Sequence, residues 1–293
     1  MTRIQLGVRE YDVSTRALVM GILNRTPDSF FDKGAFFDMP AFVDRAAALV
    51  DQGADLLDVG GVKAGPGPEV DEAEELDRVV PAIEALIARF DLPLSVDTWR
   101  ASVAEASFTA GAVVGNDISG FADPEYLATA VRHSASVVAT HIRLGPRIPD
   151  PEPQYVDVVA EVRARLIELA RRATEAGIPA PRIILDAGLD LGKTWQQSVA
   201  LLRGSDQLAG LGHPLLLSAS NKTFLGKLLD LEIDQRRNAS AAATALGISL
   251  GCRVVRVHDV AGARRVADVL AAVMAGPGAQ ESPDQARGSR KRG

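Results

Sequence analysis

The sequence predicts a (β/α)₈ barrel of the TIM type, an α/β fold with one parallel eight-stranded sheet ringed by helices. Three observations predict it. Short unalternating apolar runs, the mark of strands buried on both faces, alternate with amphipathic stretches from Ala17 to the mid-270s. The alternation is strict, eight strands and eight helices, which requires a parallel sheet with helical crossovers. The length, 293 residues, suits one barrel of about 250 residues with a tail. A doubly wound open sheet is the alternative, and no G-x-G-x-x-G follows the first strand to support it.

The elements follow in order. ALVMGIL (17–23) reads as a buried strand, and 41–54 as a helix closed by Gly53. DLLDVGG (55–61) is the second strand. The helix over 70–90 contains Pro81, which is expected to kink or divide it by removing an N–H and crowding the preceding turn. Strands at 92–98, 112–118 and 136–142 alternate with helices at 100–111, 124–133 and 154–177. The last strands are 182–188, 213–220 and 253–259, with helices at 194–208, 239–251 and 261–276. Residues 1–276 are thus one barrel. Residues 277–293, polar and rich in Gly and Pro, read as a disordered tail.

Composition excludes several classes. The net charge is −6 and the pI about 5.3, which argues against nucleic acid as a partner. No apolar run approaches the ~20 residues that cross a membrane, and the first sixteen residues carry no secretory h-region. A single cysteine fits a reducing, cytoplasmic setting. Cys252, at the start of a strand, reads as a packing residue.

In such a barrel the site forms where the strands end. The residues there are Asn24, Asp58, Asp97, Asn116, Asp117, His141, Asp186, the Ser218/Ser220/Lys222 stretch, Arg256 and His258. Burying so many polar groups unpaired is costly, so a converging pocket is the natural reading. Asp and Asn suit the amide-like edge of a heterocycle. Lys222, Arg256 and His258, on the last two strands, suit an anion. GLDLGKT (188–194) imitates a phosphate loop but is one residue too short between its glycines. No H-E-x-x-H or C-x-x-C occurs, and the four histidines show no metal-ligand spacing.

The blocks MGILNRTPDSF (20–30), LLDVGG (56–61), SVDTWRASVA (95–104), GNDISG (115–120), ILDAGLDLGKT (184–194), SNKTFLG (220–226) and RVHDV (256–260) together resemble dihydropteroate synthase of the folate pathway. The resemblance spans roughly 17–275 in order. It implies a transferase that joins hydroxymethyl-dihydropterin diphosphate to p-aminobenzoate with loss of diphosphate. It further implies that Asp97, Asn116 and Asp186 hold the pterin ring, with Lys222 and Arg256 lining the pocket. Asp97, Lys222 and Arg256 are the implied catalytic set. Arg256 and His258 face the diphosphate, Asn24 contacts Mg²⁺, and Thr223 and Leu191 lie on the p-aminobenzoate side. A homodimer is the family's usual assembly. In this sequence, Leu246, Ile248, Leu250, Val269 and Leu270 are apolar positions for packing on the barrel or on a second copy.

The sequence also departs from the family pattern. D-V-G-G-E-S-T-R-P-G is here Asp58 to Gly67 with Val62, Lys63, Ala64 and Gly65, so a threonine and an arginine for the anion are gone. F-S-D-G-G becomes Phe30, Phe31, Asp32, Lys33, Gly34. D-P-G-I-G-F-G-K-T gains Asp190 for a glycine and Leu191 for an aromatic. S-R-K-S-F becomes Ser220 to Phe224, and H-M-x-G-x-P becomes HIRLGP, displaced by one residue. The pattern reads as a divergent, inactive or strongly impaired second paralogue. It would keep a pterin pocket and bind a pterin-type molecule, with an arylamine or sulfone-like ligand as a further partner. The alternatives are an active synthase in which Lys33, Lys63 and Lys193 compensate, a pterin-dependent methyltransferase, and a pterin-binding regulatory protein.

Overall fold

The computed structural model describes residues 2–26, 38–65 and 67–275. The first loop, including Phe30 to Gly34, and the 277–293 segment lie outside them. An N-terminal hairpin, β1 (Arg3–Leu6) and β2 (Arg9–Asp12), precedes the barrel. The barrel strands are β3 (Leu18–Asn24), β4 (Leu56–Gly60), β5 (Leu94–Asp97), β6 (Val114–Asp117), β7 (Ser136–Thr140), β8 (Ile183–Asp186), β9 (Leu215–Leu217) and β10 (Cys252–Val257). They close in sequence order, with β10 pairing β3 in parallel, Val254 opposite Leu18.

Side-chain alternation divides each strand between two cores. Outward residues such as Val19, Leu57, Val59, Val96, Val137, Leu185 and Val255 pack on the helices, against Phe42, Leu49, Ile83, Leu86, Leu166 and Leu169. Inward residues Leu18, Met20, Leu56, Val114, Val138, Ile184, Leu216 and Val254 fill the barrel, where Ile4, Leu6 and Val13 of the hairpin segment join them. The hairpin therefore plugs the N-terminal end. Its strand sequences, RIQL and REYD, are short and mostly polar, which is why periodicity passes over them.

The helices are α1 (Met39–Asp51), α2 (Glu72–Arg89), α3 (Ala101–Thr109), α4 (Tyr126–Arg132), α5 (Val158–Glu175), α6 (Trp195–Arg203), α7 (Ser205–Ala209), α8 (Thr223–Leu229), α9 (Arg237–Ser249) and α10 (Val260–Ala275). Three sequence expectations are corrected. Pro81 does not divide α2, which runs unbroken from an N-cap at Asp71. Pro81 faces solvent, and the guanidinium of Arg25 lies 3.5 Å from Asp77 O, the carbonyl that the missing N–H leaves without its helical partner, and donates to the neighbouring Arg78 O at 2.8 Å. The 194–208 helix is two, parted at Gly204. A helix not expected from the sequence, α8, opens within the SNKTFLG block, and the strand expected over 213–220 is three residues long. Among the described residues no helix is long and apolar enough to cross a membrane.

Candidate functional site at the open end of the barrel

The inward rows change character two residues along five of the strands. Leu56 gives way to Asp58, Val114 to Asn116, Ile184 to Asp186, Leu216 to Ser218 and Val254 to Arg256. Parity alone places these groups together, because residues i and i+2 share a face.

Arg256 is the hub. Its Nε donates to Asp58 Oδ2 at 2.6 Å, and its Nη2 donates to Asp97 Oδ2 at 2.7 Å. Asn116 Nδ2 donates to the same Asp58 oxygen at 3.1 Å. Asp58 is fully buried and its Oδ1 has no hydrogen-bond partner among the described residues. Burial pushes Asp97 up to about 7, against the pull of Arg256 and with a further push from Asp58. Burial opposes the charge on Arg256, but Asp58 and Asp97 outweigh it and hold the guanidinium protonated. Asp58 is a strand-end residue to which the family resemblance assigns no role, although its parity with Leu56 marks it as inward.

Asp186 stands opposite, its Oδ1 accepting from Gly188 N at 2.8 Å, and burial raises it. Gly188 is required there. Its φ is +65°, and a Cβ would lie 2.0 Å from the His141 carbonyl oxygen. Lys222 Nζ donates to Leu189 O at 3.0 Å. Ser220 Oγ accepts from His258 N at 3.1 Å and lies 3.0 Å from His258 Nδ1. Burial, then the charges of Arg256, Lys222 and Arg45, push His258 down to about 3. His258 is therefore a neutral imidazole at this mouth rather than a cation. Asn24, at the end of β3, places its amide oxygen 3.2 Å from where a Cβ on Gly60 would stand. Mg²⁺ takes hard oxygen donors and commonly only one or two from protein, so an Asn oxygen at the mouth fits it.

Two strand-end residues do other work. Asp117 turns into its own loop and accepts from Ser119 N at 2.6 Å and Phe121 N at 2.9 Å. His141 binds Lys193, whose buried Nζ lies 2.9 Å from His141 Nδ1 and donates to Gly188 O at 2.8 Å and Leu191 O at 2.9 Å. Lys193 is thus a staple between two loops, not the compensating cation the sequence allowed. Burial also lowers it to about 7. Cys252 is sealed, its thiol pushed up to about 12 by burial, as a packing residue should be.

The loop after β4 is held from three sides. Arg78 donates to Gly61 O at 2.7 Å, Arg100 to Val70 O at 2.8 Å, and Arg147 to Gly67 O at 2.6 Å and through its backbone N to Ala64 O at 3.2 Å. Gly65 is exposed, with no atom within 4 Å of a Cβ placed on it. Thr223 is exposed at the start of α8, and Leu191 is half-buried in the loop before α6.

Residues 20–258 match the family model described as pterin binding enzyme. The chain is 40% identical to the dihydropteroate synthase of Bacillus subtilis (strain 168) over 261 residues, covering 88% of this chain and 89% of that one. It is 42% identical to the inactive dihydropteroate synthase 2 of Mycobacterium leprae (strain TN) over 266 residues, 88% and 91%. It superposes on the Yersinia pestis dihydropteroate synthase in complex with a sulfonamide drug with a TM-score of 0.89 at 35% identity, covering 94% of this chain and all of that one.

Proposed function

The chain belongs to the pterin-binding enzyme family, among the dihydropteroate synthases and their relatives, and from that premise we propose that it binds a pterin while joining it to p-aminobenzoate weakly or not at all. One observation carries the reading: the Arg256–Asp58–Asp97–Asn116 floor is complete, whereas Ala64 and Gly65 leave the anion side of the β4 loop without a hydroxyl or a guanidinium.

In this reading Asp97, Asn116 and Asp186 bind the N–H and carbonyl edge of the pterin. The partnerless Asp58 Oδ1 adds an acceptor for a ring N–H, which would relieve its cost of burial. In the synthase reaction the methylene–oxygen bond breaks, diphosphate leaves with the bonding electron pair, the arylamine nitrogen bonds to the carbon, and that nitrogen then gives up one proton to the diphosphate or to water. Asp97 stabilises the positive charge developing there once a cationic ring holds it ionised. His258 and Lys222 face the departing anion, His258 as a neutral imidazole. Asn24 would hold Mg²⁺, which would supply charge to neutralise the leaving group. Ala64 in place of threonine and Gly65 in place of arginine each remove a charge-assisted hydrogen bond, which weakens that stabilisation by about 1.5–3 kcal/mol apiece.

The test is turnover of hydroxymethyl-dihydropterin diphosphate and p-aminobenzoate, with and without Mg²⁺, by the wild-type chain and by Ala64→Thr/Gly65→Arg. We expect pterin binding in both and a gain of at least about tenfold in turnover in the double variant, since even one returned hydrogen bond to the anion is worth that much. Turnover by wild type at the rate of an ordinary synthase would sink the reading. It would favour the active synthase that the 40% identity to the Bacillus subtilis protein supports.

A homodimer is part of the proposal. Of the apolar positions marked in the sequence, Ile248 is buried and Leu270 packs on the core, but Leu246 and Val269 stay exposed at 45% and 62% on α9 and α10, near Val273 at 71%. These helices lie against each other, so their exposed apolar residues offer one face to a second copy.

A further inference from the structure

We propose that Asp190 sets the charge preference of the arylamine subsite, so that this chain takes an uncharged arylamine in preference to an aryl carboxylate. The inference rests on the reading above that an arylamine docks beside Leu191 and Thr223. Asp190 sits at φ +65°, in the left-handed region, at a position where the family pattern has glycine. Aspartate tolerates that region better than most residues, so the backbone path can survive the exchange while a charge is added.

The carboxylate is fixed on both oxygens. Oδ2 accepts from Phe224 N at 3.2 Å, one residue beyond Thr223. Oδ1 accepts from the Ser198 hydroxyl at 3.2 Å, and Ser198 Oγ in turn accepts from Asp190 N at 3.1 Å. Ser198 is fully buried on α6, so this anchor does not swing. The nearby ammonium groups give their hydrogen bonds to carbonyls rather than to Asp190, which Lys193 reaches only through its charge. Lys222 donates to Leu189 O at 3.0 Å, and Lys193 is buried on the carbonyls of Gly188 and Leu191. A substrate carboxylate brought to the Thr223 hydroxyl would therefore find the next N–H taken and a like charge held beside it. Such a fixed repulsive element discriminates against one ligand class without needing any new attraction to another. A carboxamide or sulfonamide of the same shape meets no such charge, and its N–H groups can donate to Asp190.

The two roles of Asp190, capping α8 and setting charge, are separable. Asp190→Asn keeps an acceptor for Phe224 N and tolerates the left-handed backbone, but removes the charge. The full-length chain, saturated with 6-hydroxymethylpterin, Mg²⁺ and inorganic diphosphate, is titrated calorimetrically with 4-aminobenzoate and with 4-aminobenzamide. We expect wild type to bind the amide about tenfold more tightly than the carboxylate, and Asp190→Asn to bring the two within about threefold by tightening the carboxylate alone. Equal affinities in wild type, no binding of either arylamine to the pterin-loaded chain, or a variant that shifts both ligands together overturns the inference, the last marking a cap only. The pterin titration that precedes these steps reads the proposed function separately: a chain that binds no pterin overturns both.

Discussion

The two ends of this barrel are built from the same strands and teach opposite lessons. At the N-terminal end the inward row is Leu18, Leu56, Val114, Val138, Ile184, Leu216 and Val254, sealed by Ile4 and Leu6 of the hairpin. Two residues along, roughly 7 Å of rise, the same rows present Asp58, Asn116, Asp186 and Arg256. The lower end tolerates only shape, and its stability comes from apolar area removed from water. The upper end buries charge, which is stable only while each charge keeps its partner. The closed end can therefore support an open end that would not hold itself together.

The sharpest way to break that contrast is at Arg256. Arg256→Leu leaves Asp58 and Asp97 buried without their cation, and we expect a loss of about 3–5 kcal/mol in denaturant unfolding together with loss of pterin binding. A variant as stable as wild type would show that the floor does not depend on the ion pair. Leu6→Ala attacks the other end. It should cost about 2–5 kcal/mol by opening a cavity in the plug, with pterin affinity unchanged once the variant is folded. A change in affinity would mean that the two ends are coupled.

A smaller effect sharpens the comparison through pH. Burial holds Asp97 up to about 7, above its ordinary value of 3.8. The folded state therefore binds this proton more tightly than the unfolded state does. The resulting stability is complete below about pH 4 and is lost as pH rises through about 7. Between about pH 5 and 8 wild type should lose stability relative to Asp97→Asn, and parallel unfolding midpoints in the two proteins would refute this.

Most of the barrel is legible in the sequence because its signal is local. An unalternating apolar run followed by an amphipathic stretch needs no knowledge of the rest of the chain, and all eight barrel strands show themselves that way. The polar residues at the strand ends are legible for the same reason. What escapes depends on partners distant in sequence. The hairpin is polar along one side and gains its meaning only from the barrel it plugs. Pro81 carries the sequence signal of a break in α2, but it faces solvent and Arg25 lies against Asp77 O, the carbonyl it frees, and Arg78 O beside it. Lys193 reads as a cation for the anion side, yet His141, 52 positions away, stands beside it. Asp117 and Asp58 look alike as strand-end carboxylates, and only parity against the buried rows separates the one that turns into its loop from the one on the floor.

The direct pairing of β10 with β3 also governs when the molecule can exist. Leu18 and Val254 are neighbours in space and stand near opposite ends of the chain. As the polypeptide leaves the ribosome, β3 offers an unpaired edge, and the hairpin has no cylinder to close, until Cys252–Val257 has emerged. Such long-range closure is slow and leaves apolar rows uncovered in the nascent chain, a state in which molecular chaperones are needed. A transcript cut short before Val257 would yield no smaller working barrel, so a premature stop leaves material for proteolysis rather than a partial pterin binder.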